Sequence, residues 1–292
     1  MPSLIPRGVL QAAIALVCAM TASHPLLALQ DGEQKARSSK HSMISPDNEP
    51  ACASPVPPPL TFEQMEAYRN PDRQSPERSP ALAMKPAPLR ESAMPKHWCF
   101  LEVARRGQID ILFIGDSITD FFGRADRGQP VWNKHFATRK AVNFGISGDR
   151  TQDVLWRITN GELEGFSAKV IVLMIGTNNI GRNPNKEIIA GNAAIVEEIR
   201  KRQPQAKILL LGIFPRGNSP ANPLRKSVRE INAGLAELGD EKAIFYRDIE
   251  GAFLDDDGVM RDAVFVDGTH PSIFGYAIWV DAIEPTLTEL LE

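Results

Sequence analysis

Short runs of apolar residues alternate with amphipathic stretches from about residue 109 to the end of the chain. The apolar runs are rich in Ile, Val and Leu, which is typical of strands buried on both faces of a parallel sheet. They lie at residues 109–115, 140–145, 169–176, 207–215 and 243–249. Helical patterns cover residues 131–139, 151–158, 185–203, 222–239 and 272–292. This alternation predicts an α/β fold, with a five-stranded parallel sheet between two helical layers.

The chain before these elements has a different pattern. Residues 42–96 contain 12 of the 23 prolines, which disfavour both sheet ladders and long helices. A short helix is expected only near residues 61–69. We therefore predict a proline-rich linker or lead-in over residues 29–96 and a folded domain over residues 97–292.

The first 28 residues resemble a targeting segment. Arg7 precedes an uncharged, mostly apolar stretch at residues 8–22, which predicts a secretory signal peptide cleaved between residues 22 and 30. The alternative is an uncleaved membrane anchor. Cleavage would give a periplasmic or secreted protein with no stable membrane insertion. Cys52 and Cys99 would remain, and the position of Cys52 in the linker does not favour a disulfide between them.

Composition excludes several classes of function. The formal charge is −3 without a basic block, so no nucleic-acid partner is expected. At 43% hydrophobic and 24% charged residues, the composition is that of a soluble globular protein. Metal-ligand spacings, a phosphate loop and a dinucleotide fingerprint are all lacking from the sequence. We therefore expect neither a metal nor a cofactor.

Candidate chemistry begins where the first predicted strand ends, at Gly115-Asp116-Ser117. In parallel sheets, ligands bind at the carboxyl ends of the strands. A Ser at the start of the following helix would direct its own N–H toward an oxyanion formed beside it, so Ser117 is a candidate nucleophile. The alternative is a helix cap with no catalytic role.

A nucleophilic Ser needs a base, and His270 is the candidate. Asp267 lies three residues before it, in a turn after the last strand, and could orient the imidazole. A capping turn is the alternative explanation of this Asp-x-x-His spacing. The other histidines are placed in the N-terminal segments, at the edge of the domain and on a surface helix: His24, His41, His97 and His135.

Two further strand ends offer hydrogen-bond donors. Gly148 follows the second strand, and Asn178 follows the third. Both residue types are also common in ordinary turns, which is the alternative interpretation. Gly-x-Ser-x-Gly does not occur in the sequence, so the nucleophile elbow of the α/β-hydrolases is excluded.

The motifs "IGDSIT", "NFGISGDRTQDVLWRITNGELEG", "LMIGTNN", "LLLGIFPRG" and "DGTHPSIFGYAIW" resemble those of the GDSL or SGNH hydrolases. More narrowly, they resemble the branch that contains the catalytic subunits of platelet-activating-factor acetylhydrolase and bacterial relatives. The resemblance spans residues 97–290 and implies a flavodoxin-like SGNH-hydrolase fold. It implies Ser117 as nucleophile, His270 as base and Asp267 as its partner. It also implies an oxyanion hole of the Ser117 N–H, the Gly148 N–H and the Asn178 side chain.

One position departs from this branch: Ser147 stands where glycine is common, although Gly148 is retained. If the resemblance holds, Ile118 and Thr269 would border the acyl group, and their sizes favour acetyl or similarly short chains. Predicted export favours carbohydrate O-acetyl esters as substrates. A lysophospholipase-like or platelet-activating-factor-acetylhydrolase-like lipid esterase is the alternative, and a non-catalytic carbohydrate-binding protein is the rival from another class. The sequence does not decide whether the protein forms a homodimer.

Overall fold

The computed structural model describes residues 83–292, which contain one parallel sheet of five strands in the order β2-β1-β3-β4-β5. The strands are β1 Ile111–Gly115, β2 Ala141–Gly145, β3 Val170–Met174, β4 Lys207–Leu211 and β5 Ile244–Arg247. In the centre of the sheet, Ile111 pairs with Ala141 on one side and Val170 on the other. The predicted fold class is confirmed, and each strand is one to four residues shorter than its apolar run.

In the described part of the chain, seven α-helices accompany the sheet. They are α1 Met94–Arg105, α2 Ser117–Asp120, α3 Gln129–His135, α4 Thr151–Arg157, α5 Asn185–Arg202, α6 Pro223–Ala236 and α7 Ile273–Leu291. An irregular turn, Ile158–Glu162, continues α4 and contains Gly161 at φ +102°. The later helices follow their predicted ranges closely. The sequence pattern missed α1, although the buried spacing of Phe100, Val103 and Ala104 in that helix is helical.

Successive side chains of each strand enter two separate apolar cores, one on each face of the sheet. Leu112 and Ile114 of β1 face the core shared with α1, α4, α5 and α6. Ile111 and Phe113 face the core shared with α3 and α7, where Trp279 is fully buried. This two-sided burial explains why the strands are continuously apolar. Because all five strands run parallel, their carboxyl ends lie at one edge of the sheet.

The packed domain begins earlier than the predicted residue 97. Ala83 is fully buried, and its carbonyl accepts a hydrogen bond from Thr151 Oγ1 at 2.8 Å. The Ala87 N–H donates to the Gln152 carbonyl at 3.2 Å. Prolines prevent this segment from forming the continuous backbone hydrogen bonds of a strand, but single backbone groups still form hydrogen bonds with the first residues of α4. The boundary at 96/97 was therefore placed too late.

His97 also differs from its prediction at the domain edge. Its side chain is buried, and Nδ1 lies 2.7 Å from Glu162 Oε1. Helix α1 turns the residue inward, which a sequence scan without that helix could not detect.

Several predictions fall outside the described residues, namely the signal peptide, the helix at 61–69 and Cys52. Cys99 lies within them and forms a disulfide bond. In residues 83–292, no helix has both the length and the apolar character needed to cross a membrane.

Candidate active site

Ser117 is placed by a tight turn between β1 and α2. At Gly115, a Cβ atom would lie 2.1 Å from Thr119 Oγ1 and 2.6 Å from the Met174 carbonyl, so only glycine fits. The Asp116 carboxylate then accepts the Ile118 N–H at 2.9 Å and caps α2. Ser117 is the first residue of this short helix, and 7% of its surface is exposed.

The structure brings Ser117, His270 and Asp267 into one hydrogen-bonded chain. Ser117 Oγ lies 2.9 Å from His270 Nε2, and His270 Nδ1 lies 2.7 Å from Asp267 Oδ2. A carboxylate only accepts hydrogen bonds, so it favours the tautomer with its proton on Nδ1. The unprotonated Nε2 then faces the serine hydroxyl.

Local backbone geometry holds Asp267 beneath the imidazole. Its Oδ1 accepts the N–H groups of Thr269 at 3.0 Å and His270 at 2.8 Å. Burial acts to raise the pKa of Asp267, but the hydrogen bonds from the His270 ring and these N–H groups outweigh it, so the pKa is lowered. The carboxyl group is therefore ionised when the imidazole needs a negative partner. The Phe121 ring packs beside His270, with centroids 5.1 Å apart.

Besides the Ser117 N–H, the other two predicted oxyanion donors lie on adjoining loops at the same sheet edge. Asn178 Nδ2 donates to the Asp149 carbonyl at 2.9 Å, which links the turn after β3 to the loop after β2. An amide nitrogen carries two hydrogens, so this bond leaves Asn178 a second donor. Gly148 adopts φ +82°, a left-handed conformation that favours glycine.

Two consecutive asparagines follow β3, and the structure separates their environments. Asn179 is fully buried, where its Oδ1 accepts the Thr151 N–H at 3.1 Å and its Nδ2 donates to Asn183 at 3.1 Å. Asn178 is only half-buried. Asn179 therefore joins the turn to α4, while Asn178 is the asparagine available at the rim.

Of the two residues predicted to border the acyl group, Ile118 and Thr269, the structure contradicts the first. Only 1% of Ile118 is exposed, because its side chain packs in the core with Phe122 and Tyr276. It is not available to border a substrate, so that assignment was wrong. The first turn of α2 directs residue 118 inward while leaving Ser117 at the rim. Thr269 is half-buried and lies in the His270 loop.

Sequence reasoning missed charged residues around the site. Arg216, just after β4, donates from Nη1 to the Thr177 carbonyl at 3.0 Å and to Thr177 Oγ1 at 3.1 Å. Burial lowers the pKa of its guanidinium, while Asp116 and Asp267 act in the opposite direction. Its position after a strand was a usable signal, because the same rule identified Ser117. Burial also raises the pKa of Asp116 to about 7.

A buried ionic chain lies behind the loop after β2. Arg157 donates from Nε to Asp149 Oδ2 at 2.8 Å, and Nη1 contacts Glu162, the partner of His97. Burial raises the pKa of Asp149 to about 6, although Arg157 and Arg90 oppose the shift. Such buried charges depend on their partners, and removing one partner is costly.

In residues 83–292, no group of three or more His, Cys, Asp or Glu side chains is arranged to hold a metal ion. A surface cavity of about 560 Å³ lies between α1 and the turn after α4, lined by Leu101, Arg105, Thr159, Asn160, Gly161, Glu164 and Gly165. None of the hydrogen-bonded residues at Ser117 lines it. This cavity is therefore separate from the hydrogen-bonded chain at Ser117.

Comparison with known proteins identifies the family of this sequence. The sequence model described as the GDSL-like Lipase/Acylhydrolase family matches residues 113–278. Platelet-activating factor acetylhydrolase IB subunit alpha1 of Homo sapiens is 35% identical over 72% of this chain and 90% of its own length. Subunit alpha2 of Rattus norvegicus is 38% identical over 68% of this chain and 85% of its own.

The fold also resembles solved structures. The acetyl xylan esterase AlAXEase superposes with a TM-score of 0.54 over 61% of this chain and 100% of its own, at 19% identity. At that identity the likeness shows a shared fold.

Proposed function

We propose that this chain, which belongs to the GDSL-like lipase/acylhydrolase family and is a carboxylic ester hydrolase, cleaves short-chain acyl esters with Ser117 as nucleophile. The observation that carries the proposal is the hydrogen-bonded chain from Ser117 through His270 to Asp267. Each member has the donor or acceptor that its role requires.

The proposed reaction has two halves. Ser117 Oγ attacks the ester carbonyl carbon while its proton passes to His270 Nε2, and Asp267 stabilises the imidazolium. The tetrahedral oxyanion accepts hydrogen bonds from the Ser117 N–H, the Gly148 N–H and the Asn178 amide. His270 then protonates the departing alcohol oxygen. Water, deprotonated by the same histidine, hydrolyses the acyl-enzyme and restores Ser117.

For the natural substrate we propose carbohydrate O-acetyl esters. The acetyl group agrees with the names of the acetylhydrolase relatives, which are 35–38% identical. The carbohydrate part rests on the signal-like residues 8–22, because an exported enzyme meets acetylated polysaccharides. Export itself is part of the proposal, and N-terminal sequencing of the native protein should find a start between residues 23 and 31. An intact Met1 would contradict it.

A lipid ester is the second candidate, and an exposed apolar surface favours it. Val266, Ile273 and Phe274 are 52%, 44% and 58% exposed, and all three lie within four residues of His270 in sequence. An alkyl chain could pack on these side chains while its ester reaches Ser117.

The chemistry is tested with the full chain on p-nitrophenyl acetate. Ser117→Ala should lower kcat by about 10⁴-fold or more, because the nucleophile is lost. Ser219→Ala is the matched control, since this exposed serine lies in a turn and accepts the Ala221 N–H. Equal turnover by Ser117→Ala and the parent would refute the mechanism.

The substrate is tested separately. We expect faster turnover of acetate than of octanoate p-nitrophenyl esters, together with acetate release from acetylated xylan. Octanoate preference without acetate release from the polymer would refute the carbohydrate proposal and favour the lipid ester, while leaving the role of Ser117 intact.

A further inference from the structure

Arg90, in the segment before α1, contacts the loop after β2 at two points. Its Nη1 donates to Asp149 Oδ1 at 3.0 Å, and its Nη2 donates to the Ser147 carbonyl. Asp149 is fully buried, and 29% of the Arg90 side chain is exposed. A residue from the proline-rich lead-in therefore touches the loop that carries the proposed oxyanion donor Gly148.

This loop is a β-turn that begins at Ile146. The Asp149 N–H donates to the Ile146 carbonyl at 3.1 Å, and Gly148, at the third position, has φ +82°. That angle belongs to a type II turn; a type I turn has a negative φ there. The two types differ mainly in which way the central peptide faces. In this turn the central peptide joins Ser147 to Gly148.

The carbonyl that Arg90 binds and the N–H proposed to bind the oxyanion belong to this same peptide. A trans peptide is planar, so its C=O and N–H point in opposite directions. A hydrogen bond that holds the Ser147 carbonyl on Arg90 therefore also sets the direction of the Gly148 N–H. The positive guanidinium additionally polarises the peptide and strengthens its donor.

We propose that Arg90 is a positioning residue that holds the Ser147–Gly148 peptide in the orientation needed for the oxyanion hole. This inference rests on the proposed function, since it assigns a role only if the Gly148 N–H binds the oxyanion. The lead-in then contributes a positioning residue to the proposed esterase site.

The adjoining groups of the loop are anchored independently. Asp120 Oδ2 accepts the Ser147 N–H at 3.0 Å and the Ser147 hydroxyl at 2.8 Å, and its other oxygen pairs with Lys96. Asn178 holds the Asp149 carbonyl. These contacts fix the two ends of the turn, and Arg157 still pairs with the Asp149 carboxylate when Arg90 is lost. Loss of Arg90 should therefore release chiefly the central peptide.

The test is Arg90→Gln in the full chain, with p-nitrophenyl acetate as substrate. We expect kcat to fall about 10- to 100-fold with little change in KM, somewhat less than the loss of a whole oxyanion donor. A small alkylboronic acid provides a second readout, because its tetrahedral adduct on Ser117 mimics the transition state. Its affinity should fall by the same factor as kcat/KM.

Arg105→Gln is the matched control, because this arginine lies on the following helix and pairs with exposed Glu102. It should leave kcat and boronate affinity unchanged. Arg90→Lys guards against misfolding, since it keeps a positive charge near Asp149. A single ammonium nitrogen cannot occupy the positions of both Nη1 and Nη2, so the contact with the Ser147 carbonyl should weaken and kcat should still fall.

Unchanged kcat and boronate affinity in folded Arg90→Gln and Arg90→Lys would overturn the inference. So would a loss of activity that matches only the unfolded fraction measured by circular dichroism. Ser117→Ala, assayed in parallel, separates the two proposals: if it retains turnover, the proposed function fails instead.

Discussion

Asp116 precedes the proposed nucleophile, and burial disfavours its charge. Only 1% of its surface is exposed, and burial raises its pKa from 3.8 to about 7. The folded chain therefore binds one more proton than the unfolded chain between about pH 4 and pH 7. By linkage, proton binding to Asp116 raises the free energy of unfolding. This stabilisation is fully present below pH 4 and is lost as the pH rises through 7.

Asp116→Asn should consequently stabilise the protein at high pH. The amide oxygen can still accept the Ile118 N–H, but it carries no charge. At pH 8 the free energy of unfolding should rise by up to roughly 4 kcal/mol, and this gain should vanish near pH 4. Urea unfolding across this range measures it. Asp262→Asn, at an exposed position, serves as control, and a gain independent of pH would contradict the argument.

At the scale of single elements, Gly145 sets how closely the end of β2 approaches α2. A Cβ atom there would lie 2.3 Å from the Asp120 nitrogen and 2.7 Å from its Cα. These are backbone atoms, so they cannot move aside as a flexible side chain would. Close packing of β2 on α2 also places Asp120 beside Ser147. The absence of a side chain at Gly145 thus allows the β2–α2 contact that positions Asp120 against the loop after β2.

Gly145→Ala should therefore lower the free energy of unfolding by about 1–3 kcal/mol or more through overpacking. Gly123→Ala is the matched control, because no atom lies within 4 Å of a Cβ placed there. Its effect should stay within about 1 kcal/mol. Thermal and urea unfolding compare the two variants. Equal stabilities would mean that the β2–α2 contact relaxes freely.

At the scale of the whole molecule, the lead-in and the sheet form one packed unit over the described residues. Leu89, Ala93 and Met94 are buried in the core that also contains Leu112 and Ile114 of β1. Burying a large apolar side chain contributes about 1.5–3 kcal/mol. The segment therefore stabilises the domain as well as contacting its loop.

A chain of residues 83–292 should consequently unfold at a higher urea concentration than one of residues 97–292. Turnover of p-nitrophenyl acetate should follow the same order, since the shorter chain lacks Arg90. Both chains lack residues 1–82, so the comparison isolates residues 83–96. Equal midpoints and equal turnover would show that this segment is dispensable.

The sequence alone determined the α/β architecture, and it predicted the sheet edge at which we propose that the chemistry takes place. Strands buried on both faces must be continuously apolar. The apolar runs that form β1 to β5 could therefore be identified from the sequence without knowledge of tertiary contacts. Parallel strands end at one edge, so Ser117, Gly148, Asn178 and His270 were expected together, and the structure places these residues at that edge.

Other features depended on contacts between residues distant in sequence. Ile118 and Ser117 are neighbours, but only the packing of α2 shows that one side chain enters the core while the other stays at the rim. His97 and Arg90 lie in or beside a proline-rich segment without helical or strand periodicity. Their partners, Glu162 and Asp149, lie about 60 residues away. Local patterns report local backbone preference, whereas such pairings exist only after the chain has folded, so only the tertiary structure could decide them.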